Sequence, residues 1–231
     1  MGTFHAKTPS ADFLACFYKP RFCSIILRMN VYFMRHGETD WNKEQRIQGS
    51  TDIPLNQNGI DLAEETAKNL FKDGITFRRI YTSPLIRAQA TAQIMNRYSG
   101  AQIKLDERIR EFGFGQAEGA TYAELRTQER FAHLKNWFLN PAEYKAELGA
   151  ESYEDFFGRI SDFLENEIKP LEGKTDDVLI VCHGGVVRGL LKVMCNWSVL
   201  RFSETKIPNC GINLVTLNDG IFTVQYTART F

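Results

Sequence analysis

His36 and His183 each stand where a strand-like apolar run stops, and each is followed by glycine. The first run, from Val31, ends at Arg35-His36-Gly37; the second, residues 178–182, ends at His183-Gly184-Gly185. A buried strand that delivers a charged pair, then a glycine that lets the backbone turn away, is a ligand-site layout. In open α/β folds ligands collect past the carboxyl ends of such strands. An arginine beside a histidine there suits an anion, held by the guanidinium and attacked or bound by the imidazole. Two more groups fall at comparable places. Arg87 sits in the first turn of a helix after the short strand 79–81, and Glu111 in the loop after strand 102–105.

Those placements require strands and helices to alternate, and the pattern supports this. A polar loop at 43–58 leads into a helix at 59–72, with Ala63, Ala67, Leu70 and Phe71 at helical spacing on one face. Ser83 is the expected N-cap and Pro84 the N1 residue of a second helix, running to about Tyr98. Residues 106–119 form a loop, and Thr121 with Glu124 reads as the capping box of a helix that continues to about Leu139. After a linker at 140–150, residues 152–168 read as an amphipathic helix with Phe156, Ile160, Phe163, Leu164 and Ile168 inward. The helix 186–195 follows the second histidine, and strands 211–217 and 221–226 close as a hairpin through Asn218-Asp219-Gly220. The expected fold is α/β: three layers, with a mainly parallel central sheet and helices on both faces. Right-handed crossovers bring the strand ends to one side, beside two helix N-termini whose free N–H groups favour anions.

Arg35-His36-Gly37-Glu38-Thr39 with Trp41 and Asn42, then Gln48-Gly49, Asp52-Ile53-Pro54-Leu55 and Gly59, resemble the signature of the histidine phosphatase superfamily, in its phosphoglycerate mutase-like branch. So do Ser83-Pro84-Leu85-Ile86-Arg87-Ala88, the segment from Glu107 to Glu111, Glu118-Gly119, and Val181-Cys182-His183-Gly184-Gly185. The match covers residues 29–231 in the family's order. The resemblance implies a covalent phosphohistidine on His36, with Arg35, Arg87 and His183 as phosphate ligands. It also implies Glu111 as proton donor and Asn42 as a further phosphate contact. The N–H of Gly184 extends the phosphate set, and Thr39 and Gln48 become candidate substrate contacts. Ala117 departs from the pattern, standing where many members carry Trp, so the pocket wall is expected to differ.

The chemistry agrees with that assignment. Displacing an alcohol from a phosphate monoester is very slow in water, and most of the help must be electrostatic. A neutral imidazole can attack in line if its other nitrogen donates to a fixed acceptor. Arginine forks bind two phosphoryl oxygens and keep their charge, and they lower the pKa of a neighbouring histidine. The leaving oxygen needs a proton from a carboxyl, which an approaching dianion helps to keep protonated. Water then attacks the phosphohistidine with the same carboxylate as base. The arginines supply what Mg²⁺ supplies elsewhere, so neither metal nor cofactor is expected. A two-histidine, one-carboxylate metal site of His36, His183 and Glu111 is the rival reading, and the adjacent arginines would repel its cation.

Composition limits the other classes. The 231 residues suit one domain, expected at 29–231. Twenty-eight basic and 28 acidic residues cancel, so no overall field points to nucleic acid or an anionic membrane. No apolar run reaches the roughly 18 residues of a membrane span. Cys16, Cys23, Cys182, Cys195 and Cys210 include no CxxC pair and read as free thiols in a reducing, cytoplasmic setting. Residues 1–28 read as an extension upstream of a native start at Met29 rather than a secretory signal. The partner is a small phosphate ester, not nucleic acid or membrane, and the protein a monomer or homodimer. His5 and His133 read as solvent-facing, and Tyr122, Phe131, Trp137 and Phe138 as packing. Arg126, Arg130 and Lys135 could meet a second anion, but a solvated helix face is the reading preferred.

Three activities are compatible with this constellation: phosphomonoester hydrolysis, phosphoglycerate mutation, and non-catalytic binding of a phosphorylated ligand. Hydrolysis is favoured. Residues 112–119 run promptly into a helix, where mutases carry a longer clamping insertion. Glu151-Ser152 and the Arg159-bearing helix also resemble the hydrolase-type members. The complete set of Arg35, His36, Arg87, Glu111 and His183 argues against a non-catalytic protein.

Overall fold

The computed structural model describes residues 28–175, 177–202 and 206–231, so the reading of the upstream extension lies outside it but for Arg28. Six strands, β1 (Met29–Arg35), β2 (Arg79–Thr82), β3 (Gln102–Leu105), β4 (Asp177–Cys182), β5 (Ile212–Asn218) and β6 (Ile221–Arg229), form one sheet. Their order is β3-β2-β4-β1-β5-β6. The pairs β1–β4, β4–β2 and β2–β3 are parallel, and the hairpin β5–β6 lies antiparallel against β1. The expected mainly parallel sheet is therefore present. Helices cover both faces: α1 (Asp40–Lys43), α2 (Gln57–Lys72), α3 (Ile86–Met95), α4 (Tyr122–Thr127), α5 (Ala132–Leu139), α6 (Tyr153–Phe163) and α7 (Gly184–Cys195).

Side-chain alternation along the central strands builds two cores. Tyr32 and Met34 of β1, with Leu179 and Val181 of β4, pack with Ala63 and Ala67 of α2 and with Ala88 and Ala92 of α3. Val31 and Phe33, with Val178, Ile180 and Cys182, face Phe156 and Ile160 of α6 and Val187 and Leu190 of α7. Phe112 is fully buried, with the rings of Phe114, Trp137, Tyr144, Tyr153 and Phe156 centred 5.1–5.9 Å away. That cluster seats the loop bearing Glu111 against α5 and α6.

Several local expectations are corrected. Residues 122–139 are two helices: Gln128 is extended (φ −90°, ψ 128°), and a 3₁₀ turn at Glu129–Phe131 leads into α5. Leu125 and Leu134 are both buried. In one straight helix they would be about two and a half turns apart, on opposite faces; the break lets both reach the core. Ser83 does not cap α3. The helix starts at Ile86, whose N–H bonds Asp52 Oδ1 at 2.7 Å, so the cap comes from a distant loop. Phe71 is not inward; it is 49% exposed and stacks on Tyr98. The loop after β1 contains α1, capped by Thr39 and Asn42, and α2 starts with Asn56 as cap. The five inward residues of the 152–168 segment are all buried, the last two in a π turn at Leu164–Ile168. No helix among the described residues is long and apolar enough to cross a membrane.

Candidate active site

The carboxyl ends of β1, β2 and β4 lie side by side, and their following residues meet there. The His36 N–H bonds the Cys182 carbonyl (2.9 Å), and the rings of His36 and His183 are 5.2 Å apart between centroids. A cavity of about 250 Å³ opens over them, lined by Arg35, His36, Asn42, Gln48, Arg87, Glu111 and Gly184 among others. Among the described residues its charged lining comprises four arginines, Arg35, Arg46, Arg87 and Arg188, against the single carboxylate of Glu111. Such a surface favours an anion strongly.

The contacts of His36 fix its protonation state. Nδ1 lies 2.6 Å from the Gly37 carbonyl, which can only accept. Arg87 Nε, which can only donate, is 3.2 Å from Nε2. The ring therefore carries its proton on Nδ1 and presents a lone pair at Nε2. Burial, then Arg87 and Arg35, hold its pKa well below the ordinary histidine value. The carbonyl that sets the tautomer is itself held. Asn209 Nδ2 donates to the carbonyls of His36 (3.0 Å) and Gly37 (3.1 Å), and Thr91 Oγ1 accepts from the Gly37 N–H (3.0 Å). Gly37 is needed for close approach rather than for a left-handed turn: a Cβ there would sit 2.5 Å from the Gly59 carbonyl oxygen.

Arg87 is fully buried on the second residue of α3. Its terminal nitrogens donate to the carbonyls of Thr51 and Gly49, both at 2.8 Å. Burial brings its pKa down to about 10, so it stays a cation at neutral pH. Arg35 donates through Nη1 to the Ile207 carbonyl (3.0 Å), while its Nε is buried with no partner among the described residues. His183 is the N-cap of α7, with Nε2 2.8 Å from Ser83 Oγ. Ser83 Oγ also accepts from the Leu85 N–H (3.3 Å), which fixes the hydroxyl beside the ring. His183 Nδ1 is buried and unpaired among the described residues. Burial is again the first cause of a pKa far below the usual value, with Arg87, His36 and Arg35 adding repulsion.

Glu111 is held by backbone N–H groups: Phe112 to Oε1 (2.9 Å) and Gly185 to Oε2 (3.1 Å). A Cβ on Gly185 would come within 2.5 Å of Oε1, so the second glycine after His183 makes room for the carboxylate. Asn42 lines the cavity with its Oδ1 tied to Thr39 and Asn209. Gln48 lines it too, nearly buried, its Oε1 unpaired among the described residues. Gly184 forms part of the floor. Thr39 is fully buried, engaged with Asn42 as the cap of α1, and does not line the cavity.

Three contributors escape the sequence reading. Arg188, one turn into α7, joins the cavity lining and donates to the Gly184 carbonyl (3.2 Å). Its place four residues after Gly184 was the available signal. Asn209 gave none, because its partners are more than 160 residues away. Glu118 appears only as half of a Glu-Gly pair, yet it organises the arginine cradle. Its carboxylate accepts from the N–H groups of Ser50 (2.9 Å), Thr51 (2.9 Å) and Phe114 (3.1 Å), and from the Thr51 hydroxyl. This fixes the loop whose carbonyls grip Arg87. Ala117 does not line the cavity; Phe114, Trp137, Phe138 and Tyr122 form its apolar wall. The aromatic stripe is thus divided, with Phe131 in the core and the other three at the site. His133 is half-buried rather than solvent-facing, and His5 lies outside the described residues.

Comparison with known proteins identifies the family. A family model described as the histidine phosphatase superfamily (branch 1) matches residues 31–230. A Serratia proteamaculans protein described as a "probable phosphoglycerate mutase" is 33% identical over 187 residues, 81% of this chain and 84% of its own. An uncharacterized phosphatase of Bacillus subtilis, PhoE, is 37% identical over 161 residues, 70% of this chain and 75% of its own. Among solved structures, an Entamoeba histolytica phosphoserine phosphatase in complex with 3-phosphoglyceric acid superimposes with a TM-score of 0.75. It is 27% identical and covers 87% of this chain and 98% of its own.

Two outcomes follow from the site. The unfolded chain takes up a proton at each imidazole below about pH 6.5, whereas folded His36 and His183 resist it, so stability falls as pH drops below that value. Each imidazole contributes at most about 1.4 kcal/mol per pH unit. In urea titrations at descending pH, His183→Gln should show a shallower loss than wild type; parallel losses would contradict a neutral, buried His183. Glu118→Gln sets an amide against N–H donors and should weaken inorganic phosphate binding by about tenfold, at a stability loss of about 1–3 kcal/mol. Calorimetric titration reads this directly, and unchanged affinity would free Arg87 from dependence on Glu118.

Proposed function

The chain belongs to the histidine phosphatase superfamily, and we propose that it is a phosphomonoester hydrolase acting on a small phosphorylated metabolite through a phosphohistidine at His36. The observation that carries this reading is the Nδ1–H tautomer imposed on His36 by Gly37 and Arg87, which leaves Nε2 as a nucleophile at neutral pH. Arg35, Arg87 and His183 bind the phosphoryl oxygens, with Asn42 and the start of α7 at Gly184 adding further donors. Thr39 serves by fixing Asn42. Gln48 contacts the ester.

In the first step Nε2 attacks phosphorus and the ester P–O bond breaks. The departing oxygen takes a proton from the Glu111 carboxyl. In the second step water attacks the phosphohistidine, Glu111 takes the water proton, and the P–N bond breaks. Inorganic phosphate leaves and His36 regains its lone pair. The two N–H bonds to Glu111 occupy one lone pair on each oxygen, so the carboxyl stays oriented while a site for the travelling proton remains. The guanidinium groups supply the positive charge that the transition state needs, without a metal.

Hydrolysis is preferred over mutation because the segment after Glu111 passes directly into α4, as the sequence pattern suggested. The likeness to a mutase-named relative makes the outcome worth separating. With 3-phosphoglycerate, proton NMR should show glycerate and phosphorus NMR free phosphate, with EDTA making no difference; accumulation of 2-phosphoglycerate would mark a mutase. His36→Ala should abolish turnover and acid-labile phosphate labelling together, and persistent labelling would remove His36 from its role. Glu111→Gln should slow alkyl esters by about 10²–10⁴-fold while activated aryl esters, whose leaving groups need no proton, lose far less. Equal losses would count against Glu111 as the acid.

A further inference from the structure

Beside the phosphoryl cavity lies a second one of about 300 Å³, lined by Tyr122, Leu125, Arg126, Lys135, Phe138 and Leu139. Tyr122 and Phe138 line both cavities, their rings 5.6 Å apart and nearly perpendicular (82°), so the two spaces share a wall. The groove exists because residues 122–139 break at Gln128, setting α4 and α5 as two separate banks. It leaves apolar surface in water: Leu139 is 78% exposed and Tyr122 41%.

The basic residues of this segment do not behave alike. Arg130 lies over the Phe131 ring at 4.5 Å and donates to Gln128 Oε1. Arg126 and Lys135 border the groove, and among the described residues neither has an ion-pair or hydrogen-bond partner. The uniform solvated face expected from the sequence is therefore divided. Two unpaired cations flank an apolar trough that adjoins the phosphoryl cavity across Tyr122 and Phe138.

We propose that this groove selects the leaving group of the ester: an extended apolar body ending in a second anion, such as a carboxylate, met by Arg126 and Lys135. The inference rests on the hydrolase reading for its chemistry, but not for its binding. With the phosphoryl group among Arg35, Arg87 and His183, an ester too long for the first cavity can pass Tyr122 and Phe138 and cover the exposed apolar wall. Each methylene laid there contributes up to about a threefold gain in affinity, and the terminal ion pair roughly two- to fivefold, as half-open surfaces allow. A short phosphorylated hydroxy acid reaches only the first cavity and gains neither.

The test uses ω-phosphorylated hydroxy acids of rising chain length, from phosphoglycolate to the decanoate, each beside its methyl-ended alkyl phosphate. In the full-length protein kcat/KM should climb with length through KM. Long carboxylates should outrun their methyl-ended analogues by about two- to fivefold. The R126A/K135A double variant should bring that ratio close to one, and R126E/K135E should turn the preference toward amine-ended esters. A flat dependence on length, or a carboxylate-to-methyl ratio that ignores the double variant, would overturn the proposal. If no ester is hydrolysed, the hydrolase reading fails first. Calorimetry with the matching ω-carboxyalkyl phosphonates then judges the groove alone, and equal affinity for short and long phosphonates rejects it.

Discussion

A buried guanidinium donating to a buried imidazole is the contact on which the site depends. Taking Arg87 out of water carries a penalty of several kcal/mol that only good hydrogen-bond geometry offsets. The carbonyls of Gly49 and Thr51 and the lone pair of His36 provide that geometry. The same burial keeps His36 and His183 neutral, since a proton on either would add a further cation to a space already crowded with them. Guanidinium and imidazole therefore stabilise one another's chemical state. Neither would hold its form if the other were solvated.

Most of the grip on the reacting side chains comes from the main chain. Gly37 O orients one imidazole, Ile207 O holds Arg35, two loop carbonyls hold Arg87, and two N–H groups hold Glu111. Backbone dipoles fixed by a folded scaffold need little reorganisation when charge develops, which is the condition for electrostatic catalysis. Side chains such as Glu118, Asn209 and Thr91 serve mainly to place those backbone groups.

What could be read from the sequence was local or periodic. The apolar runs ending at Arg35 and Cys182 became neighbouring central strands, and their alternation divided cleanly between two helical layers. Arg35, His36, Arg87, Glu111 and His183 were recognisable because each follows a strand within a few residues. The misses were long-range. Asp52 replaced Ser83 as the cap of α3, which released Ser83 to orient His183. Asn209 and Glu118 act on partners that no local pattern connects to them. The broken helix at Gln128 was hidden because its capping box is genuine, and only the demand that Leu125 and Leu134 both be buried splits it.

The sheet order also sets the timing of assembly during synthesis. β1, which ends at Arg35 just before His36, is made first among the described strands, but its two neighbours, β4 and β5, are made last but for the edge strand β6. The carbonyl of Cys182 and the amide of Asn209 must both arrive before the His36 loop takes its form. A ribosome that has already delivered His36 therefore holds a chain without its finished site until the 173 residues up to Asn209 have been added.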